Sequence, residues 1–328
     1  MPAFVVRLKK TLKDRQHRLP PDEIPMSRPD RVFHLCLAAS VVVLAGIMVA
    51  SLALSSMSMP TSEFARAILL GTIPVLATAW CLQRAGYIGP RNGALMIAWS
   101  SLLGQLLMVP MYAAARMDFP LRDDLLRSID HRLGLEVPAI LAWMKQHRFV
   151  NFLLASSYDK LLPLIFAATT VPALLGKLAV AKEYIVGNVV AVVLAFSVFA
   201  LCPAIGPWSS YHFTPSPNQI LSTNMFRAIR SPGPFVIDPL YSSGLITFPS
   251  FHVILAIIAT NALCSIRVLR IPTVAVCVLI SASALSTGWH YTTDVLGGIV
   301  FACISIAAAK AFVGFIQNRF ASPCVHGR

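Results

Sequence analysis

The sequence predicts an all-α protein, a polytopic integral membrane helical bundle of about eight transmembrane helices. Three observations carry that expectation. Hydrophobic residues make up 56% of the chain and charged residues only 12%, with a mean hydropathy of +0.70. A soluble domain carries roughly 25% charged residues, so too little polar surface exists here to coat a water-soluble globule. Apolar runs long enough to cross ~30 Å of hydrocarbon recur along the chain, and short basic connections separate several of them. A disordered chain, a coiled coil and an ordinary cytosolic enzyme are excluded.

The elements follow in order. Residues 1–32 form a basic cytoplasmic tail holding Arg7, Lys9, Lys10, Lys13, Arg15, Arg18, Arg28 and Arg31. The net charge of +13 does not point to nucleic acid, because a basic tail ahead of a long apolar run is a topology signal with some attraction for anionic lipid. The first run is of full spanning length, so no cleavable signal peptide is expected. Residues 33–116 hold three spans, near 33–55, 64–83 and 94–115. Residues 117–148 carry Leu125, Leu126, Ile129, Leu133, Ile140 and Leu141 at helical spacing among charges, an amphipathic segment suited to the headgroup layer. Residues 149–318 form the catalytic core, with spans near 152–175, 184–204, 250–267, 271–287 and 292–316. A polar stretch rich in Pro, Ser and Gly, 205–248, interrupts them. Six cysteines lie in or beside apolar runs without metal-ligand spacing and read as small apolar side chains.

Eight spans bring both termini to one face. The short connections on that face carry Arg84, Arg91, Lys177, Lys182, Arg267 and Arg270, so the positive-inside rule makes it cytoplasmic. Both long polar stretches then face outward, from what is expected to be a bacterial inner (plasma) membrane.

Two segments carry chemistry. In GLITFPSFHVILAI, residues 244–257, a Pro-Ser turn leads into His252 and an apolar run. Ser250 is placed to cap a helix whose free N–H groups and positive dipole end suit an anion. In LSTGWHYTTDVLGGI, residues 285–299, His290 and Asp294 stand i and i+4 and share a helix face if the helix begins by His290. A carboxylate one turn from an imidazole can accept its N–H, fix the tautomer and leave the other nitrogen free to attack. The sixth and eighth spans both start at these histidines, so both reach one membrane level, where such groups are costly. Interfacial caps or helix–helix hydrogen bonds are the plainer alternative.

GLITFPSFH and GWHYTTD resemble the second and third motifs of the type 2 phosphatidic acid phosphatase superfamily. They are most similar to the branch containing inositol phosphorylceramide synthases and their bacterial relatives, which use FPS-x-H and HY-x-x-D. DDLLRSIDHRLGLEVPAILAW and SYDKLLP also look like that branch's upstream region, so the resemblance covers roughly residues 118–316. It implies that His290 is the nucleophile forming a phosphohistidine, Asp294 its orienting acid, His252 the acid that protonates the leaving oxygen, and Ser250 a phosphate contact. No metal or other cofactor is required in this scheme. Two departures stand out. Ala284 occupies the position of the third-motif arginine, and the first motif, Lys-x6-Arg-Pro, is absent. Phosphoryl transfer needs positive charge against the phosphate oxygens, for which Lys160, Arg227 and Arg230 are the candidates on the outward face.

The expected partners are a phosphorylated membrane lipid and the bilayer. The expected reaction is hydrolysis of a phosphoric monoester or diphosphate, with headgroup phosphotransfer as the alternative, since water or a lipid alcohol can accept the same phosphoryl group. A transporter using a His/Asp proton relay, with Pro74, Pro110, Pro163 and Pro172 breaking its helices, and a non-catalytic scaffold are readings from other classes.

Overall fold

A computed structural model describes residues 26–237 and 245–321, so the basic tail lies outside the described residues up to position 25. The described chain is helical apart from one two-residue parallel pairing, Met57–Ser58 with Phe235–Val236. The N-terminal helices are α1 (Arg28–Leu54), α2 (Thr61–Gly71), α3 (Ile73–Arg84), α4 (Ile88–Leu106) and α5 (Met108–Arg116). Then come α6 (Asp123–Arg132), α7 (Val137–Gln146), α8 (Arg148–Tyr158), α9 (Leu161–Leu174) and α10 (Leu178–Leu201). The polar stretch contains α11 (Pro207–Tyr211) and α12 (Pro217–Arg230). Finally α13 (Phe251–Leu263), α14 (Arg270–Ser286) and α15 (Thr292–Phe320) close the bundle.

Prolines explain where the spans break. The breaks between α2 and α3, α4 and α5, and α8 and α9 are followed by Pro74, Pro110 and Pro163. Each sits in the first turn of the second helix, where a missing N–H costs nothing. Taken across the first two breaks, six helices are long and apolar enough to cross a membrane, and α8 with α9 makes a seventh bent by 47°. The expected sixth span, 250–267, is only the 13-residue α13. The count of long spans among the described residues is therefore six or seven rather than eight. Direction of travel is unchanged, because α13 turns back into α14, with Thr260 Oγ1 donating to the Thr273 carbonyl at 3.4 Å.

Small residues let the helices approach. Gly187 of α10 faces Ala309 of α15 and Ile258 of α13, and Ala191, Ala195, Ala259 and Ala302 are buried in the same core. Close packing of small residues is how helices associate where lipid removes the hydrophobic driving force. Phe33, Leu37 and Leu44 of α1 cluster with Ile185 of α10 and Val313 and Ile316 of α15, so the N-terminal spans share a core with the later ones.

The amphipathic segment is helical, as α6 and α7, but its faces are partly reversed. Leu125 and Leu133 are 51% and 50% exposed, whereas Asp130 is 0% exposed. Asp130 accepts from Thr292 N at 2.7 Å, Thr293 N at 2.8 Å and Thr293 Oγ1 at 2.6 Å. Asp123 accepts from Ile205 N, Gly206 N and the Tyr291 hydroxyl. Carboxylates seven residues apart lie on one helix face; here Asp130 satisfies free N–H groups at the start of α15, and Asp123 those of the 205–206 loop.

Candidate active site

The start of α13 and the start of α15 meet at one end of the bundle. Ser250 N donates to the Asp294 carbonyl at 2.9 Å, which ties the two motifs directly. Two glycines permit the approach: a Cβ added at Gly298 would stand 2.9 Å from the Ser250 carbonyl oxygen, and one at Gly297 would stand 3.0 Å from the Phe248 ring. The rings of His252 and His290 are brought to 6.3 Å between centroids. At the opposite end of the bundle Lys182 pairs with Asp30, and Arg28 lies over the Phe320 ring at 5.7 Å.

His290 is 4% exposed. Its Nδ1 lies 3.0 Å from the Thr247 carbonyl and 3.3 Å from Asp294 Oδ2. A carbonyl only accepts, so Nδ1 carries the proton and Nε2 keeps its lone pair. Asp294 was expected to hold this tautomer, but the nearer acceptor is a backbone carbonyl. Asp294 Oδ2 also accepts from Tyr291 N at 2.8 Å, so the carboxylate braces the helix start as well as the ring. Burial, which favours the neutral ring, pushes the His290 imidazole down to about 4, opposed by the Thr247 hydrogen bond. His252 stacks on Tyr158 at 4.4 Å, with the Tyr158 hydroxyl 3.4 Å from its Nδ1.

Both imidazoles line a 290 Å³ cavity, with Tyr158, Asn218, Ser222, Thr247 and Trp289 among its other walls. Ser250 is not in that wall. Its hydroxyl is buried with no partner among the described residues, two residues before His252 in sequence. None of the three candidate cations lines the cavity either. Arg230 is tied to the 117–119 stretch, donating to the Met117 and Phe119 carbonyls and to Asp118. Arg227 borders a separate 300 Å³ cavity with Trp208, Thr223 and Asn224. Lys160 is exposed at the break between α8 and α9, two residues beyond Tyr158. Ala284 is fully buried against Val253 and Val295, and its carbonyl accepts from His290 N at 3.2 Å.

Sequence reasoning missed Thr247, Trp289, Asn218 and Ser222 in the cavity wall, and Asp123 and Asp130 behind it. The i, i+4 spacing of Asn218 and Ser222 and the i, i+7 spacing of the aspartates were the available signals. Among the described residues no three His, Cys, Asp or Glu side chains group as a metal-binding cluster.

No curated protein and no solved structure matches this chain. A family model described as the PAP2 superfamily matches residues 124–308, a region that contains both histidines, Asp294 and Asp130. The match spans more than half of the sequence, and the chain belongs to the PAP2 superfamily.

Proposed function

We propose that this PAP2 superfamily member cleaves the phosphate ester of a membrane lipid through a phosphohistidine, at the extracytoplasmic face. The observation that carries the proposal is the pair of imidazoles on one cavity, with His290 Nδ1 held by a carbonyl. Nε2 of His290 attacks phosphorus and the ester oxygen leaves. Its developing charge takes a proton from His252, and the phosphoryl group stays on Nε2. Water then attacks the phosphohistidine and returns a proton to His252, which gives hydrolysis of a monoester or diphosphate. A lipid alcohol in place of water gives headgroup transfer. Asn218, Ser222 and the Trp289 N–H are neutral donors available to the phosphate oxygens, and Lys160 is the cation nearest the cavity in sequence. Support for the sidedness comes from the basic connections, which lie at the other end of the bundle from the histidines.

The test uses purified full-length protein, a panel of lipid phosphates and an activated aryl phosphate. His290→Ala should be inactive on every ester. His252→Ala should lose about 10²–10⁴-fold on alkyl esters, where a poor leaving group needs a proton, and far less on the aryl ester. A His252 variant equally impaired on both, with His290→Ala active on the aryl ester, would reverse the roles. Labelled water appearing in released phosphate separates hydrolysis from transfer.

A further inference from the structure

A second cavity, of 410 Å³, lies deeper in the bundle. It follows α10 from Phe196 to Tyr184, roughly 18 Å of helix at the usual rise per residue. Its length and its mostly apolar wall describe a slot suited to an extended hydrocarbon chain. Leu103, Leu107 and Met111 wall it on one side, and Phe251 and Leu255 of α13 on another. Two of the polar side chains in the wall are already engaged. Thr169 Oγ1 donates to the Ile165 carbonyl at 2.9 Å, and Asn188 Nδ2 to the Tyr184 carbonyl at 2.8 Å. A ligand therefore meets mostly hydrocarbon. An empty apolar space costs free energy in proportion to its volume, and the bilayer supplies hydrocarbon to fill it.

The slot and the chemistry meet at the start of α13. Phe251 lines the slot and the next residue, His252, lines the cavity between the imidazoles. We infer that the slot holds one hydrocarbon chain of the lipid whose phosphate sits between His252 and His290, so that chain length helps to select the lipid. The identity of the phosphate site rests on the proposed function. The chain site rests on the cavity itself.

Gly104 supplies the test. It borders the slot and is exposed at its mouth, and a Cβ added there would meet nothing within 4 Å, so a larger side chain can plug the slot without forcing the helices apart. Gly46 of α1 is also exposed with nothing within 4 Å, but lies away from the slot, and serves as the control.

Full-length protein in phosphatidylcholine vesicles would be irradiated with hexadecyl phosphate bearing a diazirine on its chain, and labelled residues mapped by mass spectrometry. Label should fall on the slot residues of α4 and α10 and be displaced by unlabelled hexadecyl phosphate. It should drop at least tenfold in Gly104→Trp, drop partly in Gly104→Leu and persist in Gly46→Trp. Label confined to lipid-facing residues such as Leu162 and Phe166, or unchanged by plugging Gly104, would overturn the inference. So would equal labelling by the matching hexadecanol probe, which would make the occupant any ambient chain. Slot labelling in a protein that releases phosphate from no lipid refutes the proposed reaction and leaves the chain site standing. Phosphate release without slot labelling refutes the chain site alone.

Discussion

Gly298→Ala should uncouple the two motifs. The added methyl would sit 2.9 Å from the Ser250 carbonyl oxygen and 3.0 Å from Val253 Cβ, where ordinary contacts begin near 3.4 Å. Neither neighbour is the far end of a flexible side chain, so α13 and α15 must part by about half an ångström. Overpacking of this kind costs about 1–3 kcal/mol, partly offset by the roughly 0.5–1 kcal/mol that alanine gains over glycine within a helix. The larger effect falls on rate. A misplacement of ~1 Å can cost about 10²-fold, so kcat/KM on an aryl phosphate should fall between about tenfold and a hundredfold. Gly314 lies in the same helix, and a Cβ there would meet nothing within 4 Å. Gly314→Ala should therefore be neutral or slightly stabilising, with unchanged kinetics. Thermal midpoints in detergent and initial rates measure both variants. Identical behaviour of the two would refute the idea that close approach at Gly298 sets the distance between the histidines.

Asp130→Ala should lower stability by on the order of 3 kcal/mol, since it strips three hydrogen bonds from a buried carboxylate and leaves N–H groups at the start of α15 unpaired. Asp130→Asn, which keeps one acceptor oxygen, should cost less, and thermal midpoints test the order. In the proposed reaction attack requires neutral His290, and burial lowers its pKa to about 4. Protonation therefore stops the reaction only as pH falls toward that value. The acid limb of kcat/KM for an aryl phosphate should lie well below the ordinary imidazole range, and a limb near pH 6.5 would contradict the buried, neutral ring. A reporter active only outside the cytoplasm should work when inserted near Pro217 and be silent after Arg328. The reverse pattern would move the site to the cytoplasmic side.

The spans were legible because hydropathy accumulates over twenty residues, and the meeting of the two histidines and Asp294 at one end of the bundle because the motifs that hold them have short fixed spacings. The length of α13 was not legible. Apolar residues continue through Cys264 and Ile266, and an average over composition does not register that the chain has already turned. Thr247 was invisible for another reason, since the group it contributes is a carbonyl that any residue could supply. The Asp123 contact with Tyr291 joins residues 168 positions apart, and one sequence holds no record of such pairings. Asp123 and Asp130 were legible as polar residues on an amphipathic helix, but the usual inference that polar faces seek water pointed them the wrong way. Asp130 faces inward to accept the first N–H groups of α15, and Asp123 to accept Ile205 N, Gly206 N and the Tyr291 hydroxyl.

The shortness of α13 has a consequence for the surrounding bilayer. Thirteen residues cover about 20 Å, against a hydrocarbon core of ~30 Å. A helix that begins at the cavity between the histidines and ends at the opposite turn leaves about 10 Å of that thickness unspanned, so in the proposed reaction either the leaflet dips toward His252 or the headgroup descends to meet it. Hydrophobic mismatch of this kind costs fractions of a kcal/mol per ångström, and the cost shrinks in a thinner membrane. Bilayer thickness thus enters the reaction as a variable in its own right: the same protein should turn over the same lipid faster in short-chain vesicles than in long-chain ones.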